Sequence, residues 1–145
     1  MIGLLQRVRF ARVEIQQQII AEIDTGLLVL VGVEKSDTPS NSDKLLHRLL
    51  GYRVFPDADG KMNLSLTDIN GGLLLVPQFT LVADTSKGMR PGFSAAASPE
   101  KGRVIFEELV AKAREEFAHV CSGEFGKDMQ VSLLNDGPVT ISIRT

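Results

Sequence analysis

Hydrophobic and polar positions alternate along the first part of the chain and then fall into a different rhythm. Ile2 to Val8, Ala11 to Ile15 and Ile19 to Ile23 carry the period-two pattern of half-buried strands. Leu27 to Val33 is apolar throughout, which predicts a strand covered on both faces. Thr38-Pro39 opens a helix with proline at its first helical position, and Leu45, Leu46, Leu49 and Leu50 follow as a stripe at helical spacing. Asp57 to Gly60 predicts a turn, Met62 to Ser65 a short strand, and Gly71-Gly72 the entry to a strand over Leu73 to Val76. Ser98-Pro99 caps a second helix, with Glu100 in its first turn and Ile105, Leu109, Ala113 and Phe117 on its buried face. Gly123 to Gly126 turns around Phe125, and strands over Met129 to Leu134 and Val139 to Ile143 close the sheet. Ala83 to Ala97 is polar, small and glycine-bearing, yet holds Met89, Arg90 and Phe93, so it reads as a functional loop. No repeat or boundary interrupts the pattern. Residues 1–145 read as one α+β domain with a mostly antiparallel sheet and two main helices.

Composition narrows the classes. A chain of 145 residues suffices for one core, and 43% hydrophobic with 23% charged residues excludes a disordered chain. No apolar run approaches the roughly 20 residues of a membrane span, and the first ten residues lack a signal peptide's pattern. The single cysteine, Cys121, excludes an intramolecular disulfide and suits a reducing cytoplasm, the expected location. A net charge of −2 excludes a general polyanion binder. A nucleic-acid partner then needs a local basic patch, for which Arg7, Arg9 and Arg12, and Lys87 with Arg90, are the candidates. Arg7 sits in an apolar alternation, so it is expected to be partly buried and paired.

Familiar catalytic constellations are missing. His47 and His119 both fall on predicted helices without metal-ligand spacing, and Cys121 has no histidine or cysteine motif beside it. There is no nucleophile elbow, phosphate loop or dinucleotide fingerprint. Asp57-Ala58-Asp59-Gly60 begins like a calcium loop but lacks the later acidic ligands, so it reads as a turn. Two segments remain. In Leu73 to Leu81, Pro77 cannot donate to a ladder and so marks a strand end. The N–H groups of Gln78, Phe79 and Thr80 are then expected to lack ladder partners, which makes them candidate oxyanion donors. Thr80 is the best side-chain nucleophile, without a general base beside it; its alternative role is a local hydrogen bond. The second segment, Asn135-Asp136-Gly137-Pro138, is strong turn chemistry. An X-Pro bond is where a cis peptide costs only about 0.5–1 kcal/mol. A cis Gly-Pro pair would aim two backbone carbonyls in a fixed direction; a plain connecting turn is the alternative.

Taken in order, Met1-Ile2 through Gln6-Arg7-Val8, Gly26 to Val33, Gly51-Tyr52-Arg53, Asp59 to Asn63, Gln78-Phe79-Thr80-Leu81, Gly88-Met89-Arg90-Pro91 and Asn135 to Thr140 resemble the D-aminoacyl-tRNA deacylases. The resemblance runs from Met1 to about Ile143. It implies a barrel-like sheet, a homodimer and no cofactor or metal. It also implies the 3′-terminal adenosine of an aminoacylated tRNA as substrate, with no DNA and no membrane partner. By the same resemblance, backbone groups at Gln78, Phe79 and Thr80 bind the ester, and the tRNA's own terminal 2′-hydroxyl assists hydrolysis. Gly137 and Pro138, supplied by a partner subunit, exclude L side chains. Phe125 and Met129 line the pocket, and Arg7 holds the Gly-Pro turn across the subunit interface. One position departs: Pro77 stands where the family usually has serine, which removes a hydroxyl and an N–H from the pocket. The competing readings are a non-catalytic module that binds D-amino acids or tRNA ends, and a hydrolase of another small ester with Thr80 as nucleophile.

Overall fold

In the computed structural model, which describes residues 1–145, the first two predicted strands are one. β1 (Ile2–Ile15) continues through the exposed pair Arg9-Phe10. Its first half pairs with β3 (Gly26–Gly32) and its second half with β2 (Gln18–Ile23), both antiparallel. The opposite edge of β1 is covered by β8 (Gln130–Arg144), again antiparallel. β8 merges the two last predicted strands in the same way.

The rest of the sheet corrects the expectation of a mostly antiparallel one. β3 pairs in parallel with β6 (Gly72–Pro77), and β6 in parallel with β7 (Val120–Ser122), so the sheet is mixed, in the order β2-β1-β3-β6-β7. The physical reason lies in the connections. Helical segments return the chain to the same end of the sheet between these strands, as a parallel neighbour requires. β2 also packs against β6 and β7, curling the sheet toward a barrel.

β3 and β6 are buried on both faces because two cores flank them. On one face, α1 (Pro39–Gly51) and α3 (Pro99–Glu116) place Leu45, Leu49, Ile105 and Leu109 against Leu27, Val29, Leu73 and Leu75. Inside the curl, Leu28, Leu74 and Val76 meet Val8, Val13 and Ile23. A fully buried aliphatic side chain contributes about 1.5–3 kcal/mol relative to exposure, so these stripes fix the layers.

Helix starts agree with the sequence. Asn41 Oδ1 accepts the Thr38 N–H at 2.9 Å ahead of α1, and Ser98 Oγ accepts the Lys101 N–H at 3.4 Å in α3. The Asp57–Gly60 turn joins β4 (Phe55–Pro56) to β5 (Met62–Leu64), which is followed by a one-turn helix, α2 (Leu66–Ile69), that the pattern had not indicated. His119 lies in the bend before β7 rather than on a helix, because α3 ends at Glu116 and Phe117 turns its ring into the core.

Candidate functional site

At the C-terminal ends of the parallel strands a cleft of about 540 Å³ opens between the end of β6, the start of α3 and the segment leading into β8. Pro77, Gln78, Phe79, Phe125 and Met129 line it together, although they come from segments some fifty residues apart. Glycines let these side chains meet. A Cβ on Gly123 would sit 2.8 Å from Met129 Sδ and 3.5 Å from Pro77 Cδ, so the sulfur can lie against that backbone only because no side chain intervenes. Gly102 on α3 does the same for the Phe125 ring, whose Cζ is 3.2 Å from the place a Cβ would occupy. Neither glycine carried a signal in the sequence, since both are read locally as ordinary turn or helix residues. Lys127 and Asp128 also line the cleft and were not singled out by the pattern.

Pro77 ends β6 opposite Val31, and β7 runs out of register two residues earlier, at Leu75–Ser122. The residue at 77 therefore faces no strand that would need its missing N–H, and the proline costs no ladder bond. The lip beyond it corrects one expectation. The Gln78 N–H is not free: it donates to the Val31 carbonyl at 2.7 Å, extending the β3–β6 ladder by one bond. Phe79 and Thr80 then start a 3-10 turn (Phe79–Val82), whose first bond is Leu81 N–H to the Gln78 carbonyl at 3.2 Å. Their own N–H groups belong to the first turn, which offers them no acceptor. The Thr80 hydroxyl oxygen accepts from the Gln78 side-chain amide, with no carboxylate or imidazole in that bond. Phe79 is 57% exposed and packs at a tilt on Phe93, ring centroids 5.1 Å apart.

The Asn-Asp-Gly-Pro segment is not a plain connecting turn. β8 keeps its direction through it. Gln6 pairs with Thr140 and Val8 with Asn135, so the single residue Arg7 on β1 faces Asp136 to Val139 on β8, which stand out as a wide bulge. The Gly137-Pro138 bond is cis and Gly137 has φ +125°, a backbone region that L side chains rarely adopt. Side chains clasp the bulge. Asn135 Oδ1 accepts the Val139 N–H at 2.9 Å while its amide donates to Thr140 Oγ1 at 2.8 Å. Arg7, 12% exposed, donates from Nε to the Asp136 carbonyl at 3.1 Å and from Nη1 to the Val54 carbonyl at 2.6 Å, and pairs with the Asp136 carboxylate. Arg7 is thus partly buried and paired as its alternation predicted, and the turn it grips is that of its own chain.

Gly137, Pro138 and Arg7 do not line the cleft of their own chain; Thr80 stands at its rim beside Phe79. Of the other cations, Arg9 pairs with Asp136 at 3.1 Å and Arg12 lies 2.9 Å from Glu14, whereas Lys87 and Arg90 have no carboxylate within 4 Å. Asp57 closes its turn by accepting the Asp59 and Lys61 N–H groups and the Asn63 amide. The Lys61 N–H above all holds its carboxyl below the usual carboxylate range. No three His, Cys, Asp or Glu side chains gather as a metal site, and no helix is long and apolar enough to cross a membrane. A larger cleft, about 700 Å³, lies at the other ends of the strands around Asp24, Asn70 and His119, away from these residues.

The D-Tyr-tRNA(Tyr) deacylase family model matches residues 4–144. A D-aminoacyl-tRNA deacylase of Pseudomonas fluorescens (strain SBW25) is 62% identical over 143 residues, 99% of each chain. One of Pseudomonas syringae pv. tomato is 59% identical over the same length. Among solved structures, a c-Myc DNA unwinding element binding protein superposes with TM-score 0.95 at 33% identity, covering 100% of this chain and 99% of its own. A probable eukaryotic D-amino acid tRNA deacylase shares the fold, with TM-score 0.76 at 17% identity over 98% of both chains.

Proposed function

Since this chain belongs to the D-aminoacyl-tRNA deacylase family, we propose that it hydrolyses the ester of D-aminoacyl-tRNA, and of glycine mischarged on tRNA-Ala, while sparing L-aminoacyl esters. The terminal adenosine and its aminoacyl group enter the cleft between Phe79, Phe125 and Met129. Water adds to the ester carbonyl carbon, the bond to the ribose 3′ oxygen breaks, and the free amino acid and tRNA leave. The Phe79 and Thr80 N–H groups steady the developing oxyanion, a role the Gln78 N–H cannot share because Val31 already takes it. The substrate's 2′-hydroxyl assists in place of a protein base. An activated ester held in position needs little more.

The observation that carries this reading is the separation of the two halves of the machinery. The cleft has an open rim, while the Gly137-Pro138 bulge projects from β8 outside it. A second copy of the chain would bring its bulge to this rim, in a homodimer. There, backbone carbonyls would meet an L side chain at the aminoacyl Cα and leave room for a D side chain or a hydrogen. The Gln78–Val31 bond and the 3-10 turn hold the lip with Pro77 in place, so its geometry does not depend on the usual serine.

Single-turnover deacylation of D-tyrosyl-, L-tyrosyl- and glycyl-tRNA tests the reading. Loss of the D and glycyl esters with the L ester spared is expected, together with a sharp rate drop when the terminal ribose is 2′-deoxy. Stoichiometric binding without turnover would point to a binding module instead. Turnover indifferent to the 2′-hydroxyl would revive Thr80 as nucleophile. Sedimentation should give a dimer; a fully active monomer would remove the partner-supplied turn.

A further inference from the structure

Residues 84 to 93 stand out from the sheet as a built arm. Its base is pinned by paired backbone bonds, Asp84 N–H to the Gly92 carbonyl at 2.7 Å and Gly92 N–H to the Asp84 carbonyl at 2.9 Å. Asp84 also accepts the Ser86 N–H at 2.9 Å, and its bonds to Ser86 hold its carboxyl below the usual range, so this one acid of the arm is committed to the arm's own shape. At the tip, Lys87 and Arg90 flank Met89, which is fully exposed. Neither cation has an ion-pair partner, in contrast to Arg7, Arg9 and Arg12. Just past the base, Phe93 is 38% exposed and packs on Phe79, itself a wall of the cleft. The arm is thus continuous with the cleft through an exposed aromatic pair, and carries unspent positive charge on a molecule whose net charge is −2.

Aromatic faces beside unpaired cations are the chemistry of single-stranded nucleic acid binding, in which bases stack on rings and phosphates meet Lys or Arg. We propose that the arm binds the single-stranded 3′ segment of the RNA immediately preceding the terminal nucleotide, with Phe93 stacking a base and Lys87 and Arg90 contacting phosphates. This rests on the reading that the cleft takes the terminal adenosine. The arm then supplies affinity that a terminal nucleoside ester alone cannot use, and it is indifferent to the chirality of the amino acid.

The test is a fluorescence titration of the intact protein with a 5′-labelled acceptor-stem RNA hairpin ending in single-stranded ACCA, beside a blunt hairpin. For Lys87→Ala/Arg90→Ala, Kd for the ACCA hairpin should weaken about tenfold at low salt, and the slope of log K against log salt should become shallower by about 1.4, the release from two single-strand phosphates. Phe93→Ala should weaken it about tenfold, with Phe93→Tyr restoring it. Affinity for the blunt hairpin should not change. In parallel, Lys87→Ala/Arg90→Ala should lower kcat/KM on D-tyrosyl-tRNA and leave hydrolysis of D-tyrosyl-adenosine unchanged. Equal Kd and salt slope for wild type and the double variant would overturn the proposal, as would an equal loss on both hairpins. A wild-type protein that hydrolyses neither ester but shows the arm's binding effect would reject the esterase reading and retain the arm.

Discussion

The Asp136–Val139 bulge and the Gln78–Thr80 lip are both short irregular segments at strand boundaries, and they are held in opposite ways. Side chains hold the bulge: Arg7 from a neighbouring strand, and Asn135 reaching across its neck. Main-chain bonds hold the lip: Gln78 N–H to Val31, then the first bonds of a 3-10 turn. One clasp depends on a few residue identities, whereas the other depends on the sheet. The selectivity proposed for the bulge would therefore be open to single substitutions, while the positioning of the ester proposed for the lip would be buffered against them.

Arg7→Ala should break this contrast most severely. It leaves the Val54 and Asp136 carbonyls without their donor and the Asp136 carboxylate without its partly buried partner, a loss of about 2–4 kcal/mol in urea unfolding. D/L discrimination should fall with it. A change below about 1 kcal/mol would show that the bulge holds itself. Gly137→Ala comes next. The new Cβ would lie 2.9 Å from both Arg7 Nη2 and Val139 Cγ2, at a φ that alanine resists. About 1–3 kcal/mol of strain is expected, with a smaller D-to-L rate ratio; unchanged activity and selectivity would exclude the role assigned to this residue. Asn135→Ala should cost about 1–2 kcal/mol by orphaning the Val139 N–H, and Asn135→Asp, which keeps that acceptor, should cost less in the same unfolding assay. Thr80→Ala sits at the bottom. About a threefold fall in single-turnover rate is expected, the scale of one exposed hydrogen bond. Complete inactivity in a folded Thr80→Ala protein would mean that the lip acts through this side chain after all.

The sequence conveyed faces better than directions. The all-apolar run of β3 announced a strand buried on both sides, and that of β6 an apolar strand, yet periodicity is the same for either polarity, so the parallel ladders were not legible. Two-sided burial is itself more typical of parallel sheets, and that was the overlooked signal. The Asn-Asp-Gly-Pro segment marked a turn and the place of the cis bond, but not a bulge. Its turn chemistry is local, whereas whether the chain reverses or bulges is decided by Arg7 and the register on β1. Arg7's burial was legible because a charge inside an apolar alternation must find partners. Grouping Pro77, Phe79, Phe125 and Met129 around one cleft required the resemblance, since nothing in their spacing links them. Gly102 and Gly123, whose value lies in what approaches them, were silent.

The bulge has a consequence for the surface of the sheet. β8 pairs on one side with β1 and has no strand beyond it, so its outer margin would present a long row of free amide and carbonyl groups to any other extended chain. Bending Asp136 to Val139 out of line, with Pro138 contributing no donor, cuts that row into two short pieces. The same segment proposed to discriminate between mirror-image amino acids therefore also guards the protein against adventitious strand addition and the aggregation that follows from it.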